Sequence, residues 1–140
     1  MRTVRDAIGR RLLLVKQSSD ASRVRDPETG EERYVDNDEL ELVDGESPLV
    51  TAAAGVDPAV RRVLTAVPNE RALGLLVELA DRGPVPIVDL LDSYDLCESD
   101  LHGLLTEFRA AGLVEEATVF GERGYDATDL ARDGVATLRD

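Results

Sequence analysis

The sequence lacks the residue types on which several classes of protein depend. Its single cysteine, Cys97, excludes an intramolecular disulfide and a zinc site built from cysteines. With one histidine, His102, and no glycine-rich phosphate loop, no pair of nucleophile and base can be nominated. No secretory segment is present, and no apolar run reaches the roughly 18 residues of a membrane span. We therefore expect a cytoplasmic protein that is not an enzyme, with no cofactor, no metal and no membrane contact.

Aromatic residues and lysine are also scarce. The chain has no tryptophan, three tyrosines and two phenylalanines, so a core in its 140 residues must consist mainly of leucine, valine and alanine. Lys16 is the only lysine among 16 basic residues, against 29 acidic residues and a net charge of −13. This composition resembles that of proteins from halophilic archaea, in which dense carboxylates hold water and cations at high salt. We expect a halophilic, acidic protein; an ordinary acidic protein is the alternative.

Charge is distributed unevenly along the chain. Residues 1–35 carry eight basic and six acidic residues, whereas residues 36–140 carry eight basic and 23 acidic residues. The first region also has a β pattern, because the apolar run 11–16 precedes a turn sequence at 26–30 with proline early and glycine late. We expect residues 1–47 to form a small antiparallel β-meander of three or four strands followed by an acidic linker. The meander is predicted either to contact nucleic acid or to pack against the rest of the protein.

Residues 48–67 have the pattern of short bracing or dimerisation helices. Asp57 and Pro58 are typical of a helix start, with an N-cap followed by proline at the first helical position. One apolar stripe follows and ends before Pro68; it consists of Val60, Val63, Leu64 and Val67. Since dimeric proteins often pair through such a helix, we expect a homodimer with a two-fold axis.

Residues 68–140 show three helical patterns followed by a hairpin pattern and a last helix. The helices are expected at 69–82, 87–94 and 98–111, with Gly83-Pro84 ending the first and Val85 in a short strand. In the third helix an inward stripe has the spacing i, i+3, i+4, i+7; it consists of Leu101, Leu104, Leu105 and Phe108. Strands are expected at 113–119 and 125–128, and a final helix at 129–138. The chain is therefore predicted to be α+β.

This last region resembles the winged helix-turn-helix regulator group that includes the ArsR, MarR and PadR families. The resemblance covers about half the chain and is carried by Arg82–Val85, Asp89–Leu91, Leu104–Phe108, Ala111–Glu115, Tyr125, Thr128 and Gly134. It implies a winged helix-turn-helix after the N-terminal meander, and a transcription regulator that binds double-stranded DNA. The chain also departs from the group. Only Ser99 matches the serine or threonine common early in the recognition helix, and the ligands of the metal-sensing members are absent.

The resemblance makes the third helix the expected DNA reader. Its outward side carries polar residues that can reach bases or phosphates, namely Ser99, His102, Thr106 and Arg109. Arg123 is expected at the tip of the wing, between Gly121 and Gly124, where an arginine can enter a minor groove. A solubilising role in the turn is the alternative for Arg123. Cys97, just before the helix, is expected to be a small buried apolar residue.

Acidic residues on the same helix favour a second interpretation. Glu98, Asp100 and Glu107 share its outward surface and would repel phosphate. At molar salt this objection weakens, because charges are screened and counterion release contributes less to DNA affinity. The alternative is a winged-helix protein–protein interaction module that does not bind DNA and uses its acidic surface to bind a protein partner.

Overall fold

Sheet and helix occupy different parts of the chain, as the α+β prediction requires. The computed structural model describes all 140 residues and divides the chain into two compact units, Met1–Asp57 and Pro58–Asp140. The first unit is mostly an antiparallel β-sheet, and five of the six helices lie in the second. The expectation of an α+β chain that begins with an antiparallel sheet is thereby confirmed.

The N-terminal unit is a five-stranded antiparallel sheet with one helix. Its elements are β1 (Arg2–Arg5), β2 (Arg11–Lys16), β3 (Ala21–Arg25), β4 (Glu32–Asp36), β5 (Glu41–Leu42) and α1 (Pro48–Ala53). The strand order is β4-β3-β2-β1-β5, so the first four strands form the predicted meander. The fifth strand was not predicted. After a 3-10 turn at Asn37–Glu39, the chain returns to the far edge of the sheet and pairs Leu42 with Val4, within the segment expected to be a linker.

The two faces of β1 bury different partners, because successive residues of a strand point to opposite faces. Val4 belongs to a small apolar cluster with Leu12 and Val24. Its neighbour Thr3 is also buried, and its Oγ1 lies 2.7 Å from the Oγ1 of Thr51 on α1. Helix α1 is therefore attached to the sheet by a buried hydroxyl pair.

The C-terminal unit contains the remaining helices and a three-stranded antiparallel sheet. Its elements are α2 (Pro58–Ala66), α3 (Glu70–Arg82), β6 (Val85–Pro86), α4 (Ile87–Ser93), α5 (Glu98–Ala110), β7 (Val114–Val119), β8 (Glu122–Ala127) and α6 (Asp129–Arg139). The sheet order is β6-β8-β7. Side chains cap two of the helices: Asn69 accepts from the Ala72 amide at 2.9 Å, and Thr128 accepts from the Ala131 amide at 3.3 Å.

The core of this unit follows the predicted helical stripes. Leu76, Leu90, Leu105 and Phe108 are buried in one apolar cluster, and Leu104 is partly buried against it. None of the six helices is long and apolar enough to cross a membrane.

Helix α2 packs against α6 within the same unit. Val60 and Val63 are buried there, whereas Leu64 remains 59% exposed. A Cβ on Gly134 would lie 2.7 Å from the Ala59 carbonyl oxygen and 2.8 Å from a methyl of Val63, so only glycine allows this approach. Thr51 on α1 is hydrogen-bonded to the N-terminal sheet, whereas Ala59 on α2 packs on α6. The boundary between the units therefore falls between these two helices, which the sequence pattern placed in one segment, 48–67.

Candidate nucleic-acid interface

The expected reading surface is the outward side of α5. Its inward side buries Leu101, Leu105 and Phe108, so the residues between them must face solvent. The four polar residues predicted as contacts on this helix are all exposed: Ser99, His102, Thr106 and Arg109. The Thr106 hydroxyl donates to the His102 carbonyl at 2.7 Å and so keeps only its acceptor capacity for a ligand.

The β7–β8 hairpin places Arg123 differently from the prediction. The strands pair Val119 with Glu122, so the connecting turn is Phe120-Gly121, with φ values of 51° and 80°. Two positive φ values in a two-residue loop are what a type I′ turn requires. Arg123 is therefore not at the tip. It lies in β8 opposite Thr118, and the alternation of the strand puts its side chain on the same face as that of Tyr125.

The structure nevertheless brings Arg123 to α5. An open cleft of about 620 Å³ has walls from α4, α5, the residue before α5 and β8. Its lining includes three of the five predicted contact residues, Ser99, His102 and Arg123, together with Ile87, Cys97, Glu98, Leu101, Leu105 and Tyr125. Thr106 and Arg109 lie outside this lining.

Arg109 and Arg123 meet at a residue that no sequence pattern indicated. Glu116 on β7 accepts from Arg109 at 3.0 Å and from Arg123 at 2.9 Å, both through its Oε1. The Arg123 hydrogen bond and the charge of Arg109 lower the pKa of the Glu116 carboxyl, and Glu116 raises the pKa of Arg123. The three side chains are 42–66% exposed, so these pairs add little to folding stability. Their interest lies in the arrangement, two cations directed at one anionic oxygen.

Acidic residues also lie on the exposed side of α5, as the sequence indicated. Glu98 and Asp100 lie in the first turn of α5, where negative charge is favourable beside the positive end of the helix dipole. That position gives both residues a role in helix stability without any ligand. Glu107, also exposed, lies further along the helix, where the helix dipole does not favour its negative charge.

Cys97 is exposed, so the expectation of a buried apolar cysteine is wrong. It occupies the N-cap position of α5 in an extended conformation, and its Sγ lies 3.4 Å from the Ser99 hydroxyl. In that position the side chain projects into the cleft instead of the core. No group of three or more histidine, cysteine, aspartate or glutamate side chains in the structure is placed to hold a metal ion.

Comparisons with known proteins give a family but no activity. The chain belongs to the Family of unknown function (DUF7346), whose model matches residues 1–139. A comparison with curated proteins found no significant match, and neither did a comparison with solved structures. The match extends over both units, so the N-terminal sheet and the C-terminal helices together are the family's pattern.

Proposed function

We propose that this family member is a halophile-adapted transcription regulator whose C-terminal unit is a winged helix-turn-helix that binds double-stranded DNA. The element order supports this proposal, since α3, α4 and α5 precede the β7–β8 hairpin, and winged helices present one helix to a DNA groove in this order. Helix α5 would be the reading helix and the hairpin the wing. A DNA reader acts where the DNA is, so we place it in the cytoplasm. We assign it no catalytic step and no cofactor.

The observation that carries the proposal is the convergence of Arg109 and Arg123 on one oxygen of Glu116. One arginine comes from the proposed reading helix and the other from the proposed wing. A DNA phosphate oxygen offers the same charge and the same acceptor, so it can take the place of the carboxylate oxygen between them. Ser99 and His102 then lie on the same side of the unit, where they can contact base edges or the sugar-phosphate backbone.

The acidic character of the unit sets the expected salt dependence. Residues 58–140 carry 16 acidic and eight basic residues. Few phosphate contacts are possible with so few cations, and the salt slope of DNA binding scales with the number of phosphates neutralised. We expect a shallow slope, which suits a protein that must bind at molar salt.

The test is DNA binding by matched arginine variants. Duplexes selected from a random-sequence pool are titrated in KCl from about 0.1 M to about 1 M. Arg109→Ala and Arg123→Ala should each weaken specific binding by about 1–3 kcal/mol, the usual value of a good contact. Arg139→Ala is the control, because Arg139 is 56% exposed and pairs with Asp81 at 2.8 Å, much as Arg109 pairs with Glu116. Binding that survives loss of both Arg109 and Arg123 would remove this surface as the reader.

A second function is favoured by the same carboxylate. Glu116 offsets part of the charge of the two arginines, and Glu98 and Glu107 add negative charge to the exposed side of α5, which suits a protein partner better than a nucleic acid. A winged-helix interaction module predicts no effect of either arginine substitution on DNA. It predicts instead that Glu98→Gln or Glu107→Gln weakens binding to a protein partner. Failure to bind any duplex at low and at high salt would select this alternative.

We also propose that the protein is a homodimer. An apolar groove of about 490 Å³ has walls from α2, α3 and α6; its apolar lining is Val63, Leu64, Val67, Pro68, Leu73, Val77, Val135 and Leu138. Leu64 and Leu138 are exposed members of this lining, at 59% and 44%. Each copy thus supplies both exposed leucines and a groove to receive them, which a two-fold interface needs because the same patch faces itself.

Sedimentation in molar KCl tests the dimer. Leu64→Glu should convert a dimer into a monomer at micromolar concentration, because a carboxylate would have to enter the apolar groove. Val88→Glu, at an exposed valine on α4, should leave the mass unchanged. A wild-type monomer under these conditions would contradict the proposal.

A further inference from the structure

The tip of the β7–β8 hairpin carries a residue that folding does not explain. The Phe120 side chain is fully exposed, at 101%, and its φ is +51°. A positive φ is uncommon outside glycine, and for a bulky residue it is a genuine outlier. Phe120 therefore leaves a large apolar surface in water and also holds a strained backbone. Both features are unfavourable for the folded chain.

The turn itself does not need a phenylalanine. Asparagine or aspartate before Gly121 would satisfy the same two-residue turn without strain and without apolar exposure. Every other exposed large apolar side chain of this unit keeps more than a third of its surface covered; the next most exposed is Leu64, at 59%. Backbone strain that the turn does not require is typical of a functional site.

We propose that Phe120 is an apolar wedge that enters the minor groove of double-stranded DNA and partly unstacks one base step. This inference rests on the proposed DNA-binding function. Phenylalanine is among the side chains that proteins insert between base pairs from the minor groove, and pyrimidine–purine steps open most easily. The antiparallel pairing of β7 and β8 up to Val119 and Glu122 holds the ring at the end of a two-stranded arm.

The proposed DNA-binding function supplies the occupant, and one cation near the tip can assist it. Arg123 lies three residues from Phe120, and through Glu116 it is connected to Arg109 on α5. A phosphate backbone beside the ring would offer Arg123 an oxyanion that can replace the Glu116 carboxylate. A wedge also suits high salt, because apolar insertion does not depend on counterion release, whereas arginine–phosphate contacts weaken.

The experiment compares wild type with Phe120→Asn on duplexes selected from a random-sequence pool. Asparagine tolerates a positive φ, so the variant should keep the hairpin and melt at the same or a higher temperature. Its DNA affinity should fall about tenfold or more, as expected for one lost aromatic–base contact. The loss should persist in molar KCl, where the effect of Arg123→Ala shrinks. Duplex bending, measured by energy transfer between end labels, should also decrease.

Two controls and the selected sequences sharpen the test. Phe120→Trp should retain affinity and bending, and Leu49→Asn, at a leucine 81% exposed in the N-terminal unit, should change neither. Wild type should enrich a pyrimidine–purine step at a fixed distance from the rest of its motif, and Phe120→Asn should lose only that step.

The outcomes separate the wedge from the function on which it rests. Equal affinity and bending for wild type and Phe120→Asn would overturn the wedge while leaving DNA binding intact. Lower affinity with unchanged bending and no unstacking, read by 2-aminopurine fluorescence at the selected step, would also overturn it. No binding of wild type to any duplex would remove both the wedge and the proposed function.

Discussion

The two units of the chain differ in the interactions that stabilise each of them internally. Sixteen buried apolar residues form one cluster in the C-terminal unit, whereas the corresponding cluster of the N-terminal unit has three. The N-terminal sheet compensates with polar contacts. Five of its arginines are in ion pairs; they are Arg5, Arg10, Arg11, Arg23 and Arg25. Four arginines of the C-terminal unit are paired as well, so the clearer difference lies in the polar side chains that each unit buries.

Buried polar groups sharpen this contrast. All four buried polar side chains lie in the N-terminal unit: Thr3, Ser22, Asp26 and Thr51. Each is satisfied, since Thr3 meets Thr51, the Ser22 hydroxyl donates to Asn37 at 2.6 Å, and Asp26 accepts from the Glu28 amide at 2.8 Å and from Arg10. Asp26 is the one acidic group among these four, so a pH effect on the stability of residues 1–57 should follow this carboxyl, whereas residues 58–140 should be sensitive to core volume.

The largest expected effect is in the C-terminal core. Phe108→Ala leaves a cavity at a fully buried site and should lower the free energy of unfolding of residues 58–140 by about 3–5 kcal/mol. Urea unfolding, monitored by hydrogen exchange, identifies the residues that lose stability. The loss should be the same at neutral and at mildly acidic pH, because no titrating group is involved. Val88→Ala, at a valine 49% exposed, should change stability by less than about 0.5 kcal/mol.

A smaller, pH-dependent effect is expected in the N-terminal unit. Hydrogen bonding from the Glu28 amide, with help from Arg10, lowers the pKa of Asp26. Its folded pKa then lies below the unfolded value of about 3.9, so its stabilisation is present above that pH and is lost as the pH falls through the folded pKa. Asp26→Asn should therefore lower the free energy of unfolding by about 1–3 kcal/mol at neutral pH.

Acid titration of unfolding checks the sign. The difference in stability between wild type and Asp26→Asn should shrink as the pH falls below about 4. Asp38→Asn, at an exposed aspartate outside this network, should show a much smaller difference at every pH. A constant difference for Asp26→Asn across the titration would contradict the assignment and would erase the contrast between the two units.

Most helical features could be predicted because their signals are local. The stripe of α5 and the Asn69 cap each lie within a few residues of sequence, where periodicity and capping preferences act. Strand β5 could not be predicted in the same way. It has only two residues, and its partner Val4 lies far away in the sequence. The role of the N-terminal sheet, as a nucleic-acid contact or as packing, stays a prediction.

The site was predictable up to the point where strand register mattered. The outward side of α5 follows from its stripe, but Gly121 and Gly124 both offered a turn in the hairpin. The structure uses Gly121 for the turn and buries Gly124, where a Cβ would lie 2.3 Å from the Val85 carbonyl oxygen. Only this register places Arg123 in a strand, and only then does Glu116 lie between the two arginines. Register depends on cross-strand packing, which a single-residue pattern does not encode.

In the absence of DNA, the Glu116 carboxylate already occupies the proposed phosphate position between the two arginines. On binding, Arg109 and Arg123 would exchange one oxyanion for another, so a phosphate alone would add only the difference between two similar bonds. A random duplex would then be held briefly. A duplex that also offers base contacts to Ser99 and His102 would add their full contribution. The carboxylate would thus be an internal competitor that shortens the dwell time on wrong sequences and leaves the search along DNA fast.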